Sequence, residues 1–283
     1  MPMELDCNGV PLHLDRPRVM GVLNVTPDSF SDGGRFDRTA AAIDGAAAMV
    51  REGAAIIDVG GESTRPGAEP VPLQEELDRV IPVIEALRQR LPVPLSVDTS
   101  KPEVIREAVR AGAGMVNDVY ALRREGALAA ARAAGVPVCL MHMQGEPGTM
   151  QAHPAYDDVV AEVRDFLAGR LAACEAAGIG RERLLVDPGF GFGKTLQHNL
   201  RLLHDLPQIG ALGVPVLVGM SRKRMIGEVL DAPLEGRLQG SVAVATLAAW
   251  LGAAVVRVHD VAATVQALAM VTAVKQAGDP ARS

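Results

Sequence analysis

Short, nearly continuous apolar segments alternate with longer amphipathic segments along the chain. There are eight apolar segments, at Arg18–Leu23, Ala55–Val59, Pro94–Asp98, Met115–Val119, Val136–Met141, Leu184–Asp187, Pro215–Val218 and Ala254–Val258. Strands of a parallel sheet that is covered on both faces lack the polar alternation of a half-exposed strand. The pattern therefore predicts eight parallel β-strands.

The segments between these strands are rich in Ala and have the apolar spacing of amphipathic helices. The clearest are Thr39–Glu52, Leu73–Arg90, Pro102–Ala111 and Tyr156–Ala177. A strand–helix unit repeated eight times predicts an α/β fold, a (β/α)8 TIM barrel, as a single domain over residues 1–283. The alternative is a doubly wound open sheet, which normally has a glycine-rich phosphate turn after its first strand. Here the first strand leads into Asn24-Val-Thr-Pro27, which favours the barrel.

Local signals mark several helix ends. Ser100-Lys-Pro-Glu103 has the spacing of a capping box, with Pro102 just inside the helix. A glycine follows several helical segments, at the place where a left-handed C-terminal cap is expected. These glycines are Gly53, Gly112, Gly135 and Gly178.

Composition and charge narrow the class of protein. The chain is 48% hydrophobic, 22% charged and only 3% aromatic, which predicts a globular protein with an aliphatic core. The formal net charge of −6 argues against a nucleic-acid partner. Any anionic substrate must therefore be held by a few local cations and not by the overall field.

The cysteines and the hydropathy of the chain indicate where in the cell the protein is located. Cys7, Cys139 and Cys174 are scattered, which argues against a disulfide framework and against a CxxC zinc site. The first nine residues lack the apolar run of a signal peptide, and Val242–Val256 is too short to span a bilayer. We therefore expect a cytoplasmic location and no membrane partner.

Unusual polar and glycine-rich sequences follow the predicted strands, where α/β barrels carry their function. They are Asn24, Gly60–Gly67, Asp98, Asn117–Asp118, Met141–Gln144, Asp187–Lys194, Gly219–Arg224 and Arg257–His259. Because the carboxyl ends of the strands meet at one end of a barrel, these residues are expected to converge. The sequence therefore predicts a binding or catalytic site at that end.

Asp98, Asn117 and Asp187 lie at the ends of buried strands. A buried carboxylate is costly unless it is hydrogen-bonded. One interpretation is that each side chain satisfies neighbouring backbone amides. The other is that together they bind a planar heterocycle, since a carboxylate accepts two N–H groups and an amide both donates and accepts.

The last two strand ends suggest a phosphate site. Arg257 and His259 flank the end of the eighth strand, and Ser221 to Arg224 lie where a helix is expected to start. Loops in these positions often bind phosphate in this fold. The alternatives are a solvated helix face for Arg222 and Arg224, and a cap beside Asp260 for His259.

Two further features suggest ligands. Asn24 can bind Mg²⁺ through its amide oxygen, or it can simply form a turn before Thr26-Pro27. Phe30, Phe190 and Phe192 lie beside glycines, which fits a flat aromatic ligand better than a core. Gly189, Gly191 and Gly193 lack the spacing of a nucleotide motif, so they are interpreted as a loop that closely approaches a ligand.

These strand-end motifs resemble, in order, the signatures of the dihydropteroate synthases. The two long ones are Met20-Gly-Val-Leu-Asn-Val-Thr-Pro-Asp-Ser-Phe-Ser-Asp-Gly-Gly34 and Ile57-Asp-Val-Gly-Gly-Glu-Ser-Thr-Arg-Pro-Gly-Ala68. The shorter ones are Ser96–Thr99, Val116–Asp118, Asp187–Lys194, Gly219–Lys223 and Arg257–His259. The likeness extends from about Met20 to Met270, without a departure at a position that the family uses.

The resemblance implies three subsites in a (β/α)8 barrel. The pterin subsite would contain Asp98, Asn117, Met141, Asp187 and Lys223. Pyrophosphate would be held by Asn24, Thr64, Arg257 and His259, with Mg²⁺ bound at Asn24. The p-aminobenzoate subsite would contain Phe30, Arg65, Pro66, Phe192, Ser221 and Lys223, and sulfonamides would compete there.

The resemblance also implies the reaction, a step of folate biosynthesis. 6-Hydroxymethyl-7,8-dihydropterin pyrophosphate and p-aminobenzoate would give 7,8-dihydropteroate and pyrophosphate by a dissociative, SN1-like substitution. Asp98, Lys223, Arg257 and His259 would be catalytic, with Asp32 ordering the first loop. The family is usually a homodimer.

Two rival functions remain. A methyltetrahydrofolate methyltransferase would share Asp98, Asn117 and Asp187 but would transfer a methyl group to a corrinoid protein. The two long loops argue against it. A non-catalytic pterin-binding protein would not need Asn24, Arg257 and His259.

Overall fold

The computed structural model describes residues 3–26, 35–63, 69–146 and 148–278, without the side chains of residues 35–38. The strands are β1 Glu4–Cys7, β2 Val10–His13, β3 Arg18–Asn24, β4 Ile56–Gly60, β5 Leu95–Asp98, β6 Met115–Asp118, β7 Val138–Met141, β8 Leu184–Asp187, β9 Leu217–Gly219 and β10 Val255–Val258. The helices are α1 Arg35–Arg51, α2 Leu73–Arg88, α3 Pro102–Ala111, α4 Ala127–Ala134, α5 Val159–Ala176, α6 Leu196–His204, α7 Leu206–Gly210, α8 Arg224–Leu230, α9 Leu238–Trp250 and α10 Val261–Ala277.

Strands β3 to β10 form one parallel sheet in the order β8-β7-β6-β5-β4-β3-β10-β9. A parallel bridge between Val186 and Val216 joins the two outer strands, and the Val186 N–H donates to the Pro215 carbonyl at 3.0 Å. The sheet therefore closes on itself, with helices between successive strands. This confirms the eight predicted strands and the (β/α)8 barrel, and it excludes the open sheet.

Residues alternate along each strand between the helix-covered outside and the inside of the barrel. On β4, Ile57 and Val59 belong to the outer core under the helices, whereas Ile56 belongs to a separate inner cluster. That inner cluster forms an apolar layer from seven strands: Met20, Ile56, Met115, Cys139, Leu185, Leu217 and Val255. Two residues further along, the same inward positions carry a polar layer that includes Asp58, Asn117, Asp187 and Arg257.

An antiparallel hairpin of β1 and β2 closes the apolar end of the barrel and was not predicted from the sequence. Its turn is Asn8-Gly9, and both residues have positive φ values, 57° and 78°. Leu5, Cys7 and Leu12 of the hairpin pack into the apolar layer. The Asn8 amide donates to the carbonyls of Val109 and Ala113 at 3.3 and 3.2 Å, which ties the hairpin to the end of α3.

The predicted capping box at Ser100 is wrong. The N-cap of α3 is Lys101, which makes no side-chain capping bond, although Pro102 does occupy the first turn. The Ser100 hydroxyl instead donates to the buried Asp118 carboxylate, which also accepts the N–H groups of Tyr120 and Leu122 at 2.8 Å. Hydrogen bonds to a charged carboxylate are stronger than those to neutral groups. The Ser100 hydroxyl therefore binds Asp118 and does not cap helix α3.

The glycines that were predicted to cap the C-terminal ends of helices all have positive φ values. These values are 103° for Gly53, 118° for Gly112, 74° for Gly135 and 87° for Gly178. Among the helices in the described ranges, none combines the length and apolar character that a bilayer crossing requires.

Candidate active site

The carboxyl ends of the strands bring the predicted polar residues together. Gly60 pairs in register with Asp98, and Asp98 pairs with Asn117. Met141 pairs with Asp187 across β7 and β8. The polar layer therefore holds Asp98, Asn117 and Asp187 at one end of the barrel, as the sequence predicts.

Arg257 lies at the centre of this layer and joins two carboxylates. Its Nε donates to Asp58 Oδ2 at 2.6 Å, and its Nη2 donates to Asp98 Oδ2 at 2.8 Å. The Asn117 amide also donates to Asp58 Oδ2, at 3.1 Å. Asp58 therefore connects the residue predicted for phosphate binding with one predicted for heterocycle binding.

Asp58 was missed as a site residue by the sequence analysis. It is fully buried, and its Oδ1 has no hydrogen-bond partner within the described part of the chain. It lies two residues before the end of β4, inside an apolar run, and not at the strand end, where α/β barrels carry their functional residues. The available signal was a lone carboxylate at an inward position of a buried strand.

Charge and burial set the protonation of Asp98 and Arg257. Burial raises the pKa of Asp98 to about 7, against the opposing effect of Arg257 and with help from Asp58. Burial alone lowers the pKa of Arg257, but Asp58 and Asp98 outweigh it and the net shift is upward. Arg257 is therefore cationic, whereas Asp98 changes its charge near neutral pH.

Asp187 closes the other side of the layer. Its Oδ1 accepts the Gly189 N–H at 2.7 Å, and burial raises its pKa against this bond and the nearby cations. Met141 is buried beside it in a small cluster with Val119, Met143 and Met150. An apolar cluster therefore lies beside Asp187 at this end of the barrel.

Lys223 reaches the loop after β8. Its Nζ donates to the Phe190 carbonyl and lies 4.5 Å from the centroid of the Phe192 ring. Burial lowers the pKa of Lys223 to about 8. Phe192 is half-buried at the mouth, but Phe190 is fully buried in the outer core. The interpretation of Phe190 as a ligand-binding residue is therefore wrong, because its ring fills space under the helices.

The loops after β9 and β10 meet at Ser221 and His259. The Ser221 hydroxyl lies 3.1 Å from His259 Nδ1 and accepts the His259 N–H at 3.2 Å. Helix α10 begins after Asp260, which is its N-cap residue, and the His259 imidazole contacts Ser221. Both residues lie where a phosphate site was predicted.

The two neighbouring arginines differ. Arg224 begins α8, is exposed and pairs with Glu228, which confirms a solvated helix face. Arg222 precedes the helix with φ at +58°, and its guanidinium pairs with Asp260. The helix-face interpretation is therefore wrong for Arg222, which joins the β9 and β10 loops.

Asn24 ends β3 opposite Gly60 and is half-buried at the same end of the barrel. Within the described residues its amide makes no hydrogen bond, so its oxygen is available to a cation. No group of three or more His, Cys, Asp or Glu in the described ranges is arranged to hold a metal ion. A magnesium ion at Asn24 would therefore take its other ligands from phosphate and water, as Mg²⁺ often does.

Five predicted residues lie outside the described part of the chain. Phe30 and Asp32 belong to the segment between β3 and α1, and Thr64, Arg65 and Pro66 to the segment between β4 and α2.

Comparison with known proteins identifies the group of enzymes to which this architecture is related. Residues 20–259 match the family model described as pterin binding enzyme. The dihydropteroate synthase of Escherichia coli K12 is 55% identical over 280 residues, covering 99% of each chain. The dihydropteroate synthase of Xanthomonas albilineans, solved with 4-aminobenzoic acid, is 57% identical with a TM-score of 0.93, covering 99% of this chain and all of that one. A structure of the same enzyme in complex with 7,8-dihydropteroate has a TM-score of 0.88 at 55% identity, covering 98% of this chain and 100% of that one.

Proposed function

Because the chain belongs to the dihydropteroate synthases, transferases of the pterin-binding enzyme family, we propose that it condenses 6-hydroxymethyl-7,8-dihydropterin pyrophosphate with p-aminobenzoate. The products are 7,8-dihydropteroate and pyrophosphate. The observation that carries this proposal is the polar layer at one end of the barrel. In it Arg257 joins Asp58 to Asp98, Asn117 donates to Asp58, and Asp187 ends the strand β8. These donors and acceptors support binding of a pterin ring.

The pterin ring lies among Asp98, Asn117, Asp187 and Lys223. The carboxylates accept hydrogen bonds from the N–H groups of the amino-pyrimidinone edge. The Asn117 amide can both donate to and accept from ring atoms, which suits a ring that carries donors and acceptors. Met141 packs against the ring face. The buried, hydrogen-bonded placement of these side chains supports a preformed subsite, because little reorganisation is needed when the ring binds.

The pyrophosphate lies nearer the mouth, on Arg257, His259, Thr64 and Asn24. Arg257 remains charged at all relevant pH values, which suits a phosphate ligand. Asn24 would hold Mg²⁺, which neutralises charge on the departing pyrophosphate. The described contact between His259 and Ser221 supports an orientation of the imidazole for this role.

The p-aminobenzoate subsite is formed by Phe30, Arg65, Pro66, Phe192, Ser221 and Lys223. The 4-aminobenzoic acid complex of the Xanthomonas relative supports this ligand. Sulfonamides resemble p-aminobenzoate and would compete for the same place. With Asp32 ordering the first loop, p-aminobenzoate should bind much more tightly after magnesium pyrophosphate and a pterin are bound.

The reaction is a dissociative substitution. Loss of pyrophosphate leaves a cation that the dihydropterin ring delocalises, and the buried Asp98 carboxylate stabilises it when ionised. The aniline nitrogen of p-aminobenzoate attacks as the neutral amine, and the extra proton of the new C–N bond's nitrogen is then lost to pyrophosphate or water. Arg257 and His259 balance the departing charge, and Lys223 orients the two substrates.

The protein is proposed to act as one cytoplasmic domain that forms a homodimer. Large apolar side chains on two neighbouring helices support a self-association face: Leu247 and Trp250 of α9, and Met270 and Val274 of α10, are each about half or more exposed. Light scattering on a size-exclusion column measures the mass. Leu247→Glu should convert a dimer to a monomer.

A turnover assay tests the central proposal. The purified protein is mixed with dihydropterin pyrophosphate, p-aminobenzoate and Mg²⁺, and dihydropteroate is measured by mass spectrometry. Formation of dihydropteroate and pyrophosphate in equal amounts is expected. Pterin binding without product indicates the non-catalytic protein. Methyl transfer from methyltetrahydrofolate to a corrinoid protein indicates the methyltransferase.

A further inference from the structure

The loop between β8 and α6, residues 188–195, is held by side chains from outside it. The Gly191 N–H donates to Asn199 Oδ1 at 2.7 Å, and the Gly191 carbonyl accepts from the Gln151 amide. The Tyr156 hydroxyl donates to the Gly193 carbonyl at 2.8 Å. These hydrogen bonds hold the backbone of the loop in one conformation.

Lys194 lies at the centre of this loop and is almost completely buried. Its Nζ is 2.9 Å from the Gly189 carbonyl, 3.1 Å from the Phe192 carbonyl and 2.9 Å from His142 Nδ1. Burial lowers the pKa of Lys194, and the nearby Asp187 carboxylate acts in the opposite direction. In its protonated form the amine has three donors, and here it meets three acceptors. Among the described residues, no carboxylate lies within salt-bridge distance of it. Burial of a lysine without such a partner reduces the stability of the fold. We therefore expect Lys194 to have a function that offsets this cost.

His142 completes this arrangement from the end of β7. Burial lowers its pKa to about 2, and the cations Lys194 and Arg123 act in the same direction. The imidazole is therefore neutral and accepts through the ring nitrogen that carries no hydrogen. Its ring packs edge-on against Phe166, with the centroids 4.9 Å apart, which fixes its orientation.

The backbone that Lys194 holds is the backbone that contacts the proposed pterin site. Gly189, whose carbonyl Lys194 binds, donates its N–H to Asp187. Phe192, whose carbonyl Lys194 also binds, places its ring against Lys223. Between them, the Phe190 carbonyl accepts from Lys223. Movement of this turn would therefore displace both Asp187 and Lys223.

We propose that Lys194, oriented by His142, is a positioning residue of the pterin site, which fixes the Gly189–Phe192 turn and, in its protonated form, places a positive charge near Asp187. This inference rests on the proposed function of Asp187 as an acceptor of pterin N–H groups. Lys194 itself contacts backbone and His142 and does not touch the substrate.

The charge of Lys194 should change the pH dependence of pterin binding, which a purely structural role would leave unchanged. Burial raises the pKa of Asp187, whereas its bond from Gly189 and the cations Lys223, Lys194 and Arg257 lower it. Cys139 faces it from β7 and is a neutral thiol, because burial raises its pKa. Lys194 carries its charge on the acid side of its own lowered pKa. In that range, removal of the Lys194 charge should raise the Asp187 pKa further, so Asp187 would protonate at higher pH.

The test is calorimetric titration of 6-hydroxymethylpterin into the full-length protein from pH 5.5 to 9, with Lys194→Met, Lys194→Arg and a control. The control is Arg170→Met, because Arg170 also holds loop carbonyls, donating to Ala121 at 2.8 Å and to Leu122 at 3.4 Å. Lys194→Met should weaken binding about tenfold and move the acid midpoint of binding to higher pH. Lys194→Arg should restore the midpoint, and Arg170→Met should stay within about twofold of wild type.

Unchanged affinity and midpoint in Lys194→Met would overturn the proposal. Equal weakening at every pH with an unmoved midpoint would also overturn it, because that is the result of a structural role alone. If Lys194→Met does not fold, the paired variants His142→Leu and His142→Asn decide. The first removes the acceptor and should weaken binding, whereas the second keeps one and should not. A wild-type protein that binds no pterin would contradict the proposed function itself.

Discussion

The two ends of the barrel interior are built by the same strands but differ in chemistry. At one end Met20, Ile56, Met115 and Leu185 form an apolar layer that the β1–β2 hairpin covers. At the other end, two residues further along, the inward positions hold Asp58, Asn117, Asp187 and Arg257. The period of two along a strand makes this change possible without any change of backbone.

The difference shows how the barrel separates stability from function. Burial of the apolar layer stabilises the fold, and the hairpin excludes water from it. The polar layer buries carboxylates and cations, and such groups contribute little to stability even when they are paired. We therefore expect substitutions in the apolar layer to change the free energy of unfolding without changing ligand binding. Substitutions in the polar layer should change ligand binding, and they should also change stability where they remove or unpair a buried charge.

The largest expected effect is that of Arg257→Ala, which leaves Asp58 and Asp98 without their cation. Loss of one partner from a buried ion pair costs about 3–5 kcal/mol in the free energy of unfolding. Affinity for the pyrophosphorylated pterin should fall far more than affinity for a bare pterin. Urea unfolding and calorimetry measure the two effects. Equal losses for both ligands would remove Arg257 from the phosphate subsite.

Leu185→Ala changes the apolar layer. Leu185 is fully buried between the strands and the hairpin. A large-to-small substitution at such a position costs about 2–5 kcal/mol. Pterin affinity of the folded fraction, measured by calorimetry at low temperature, should match wild type. A comparable loss of pterin affinity would show that the two layers are not independent.

Asp187→Asn is the converse substitution in the polar layer. It should weaken pterin binding by about 1.5–3 kcal/mol, the range for hydrogen bonds to charged groups. The free energy of unfolding should change little or increase, since a buried charge is removed. Calorimetric titration with 6-hydroxymethylpterin measures the first effect and urea unfolding the second. Unchanged pterin affinity would exclude Asp187 from the subsite.

The last expected effect is a pH dependence of stability that comes from the polar layer. Burial raises the pKa of Asp98 from 3.8 to about 7, so the folded state binds this proton more tightly than the unfolded state. The resulting stabilisation is fully present below pH 4 and is lost as pH rises through about 7. Asp98→Asn should remove this component from urea unfolding curves. Parallel pH profiles for the two proteins would contradict it.

The strands could be predicted from the sequence because buried parallel strands carry apolar residues on both faces. The segment Leu184–Asp187 agrees with β8 at both ends. The strand-end residues Asp98, Asn117 and Asp187 could be found for the same reason, since polar groups stand out at the end of an apolar run.

Contacts between distant residues could not be predicted. Asp58 and Arg257 are 199 residues apart, and the role of Asp58 becomes visible only when β4 and β10 share one barrel interior. The same limit explains the wrong interpretations of Ser100 and Phe190. Each has a suitable local pattern, but a buried carboxylate and the outer core, respectively, determine where the side chain lies.

The most direct test of the division between the two layers is to locate the ligand. A crystal structure of the protein with bound 6-hydroxymethylpterin would show where the ring lies. We predict that its amino-pyrimidinone edge contacts Asp98, Asn117 and Asp187, and that the apolar layer beneath is unchanged from the unliganded fold. A pterin bound elsewhere on the molecule, with these three side chains free of it, would contradict the account.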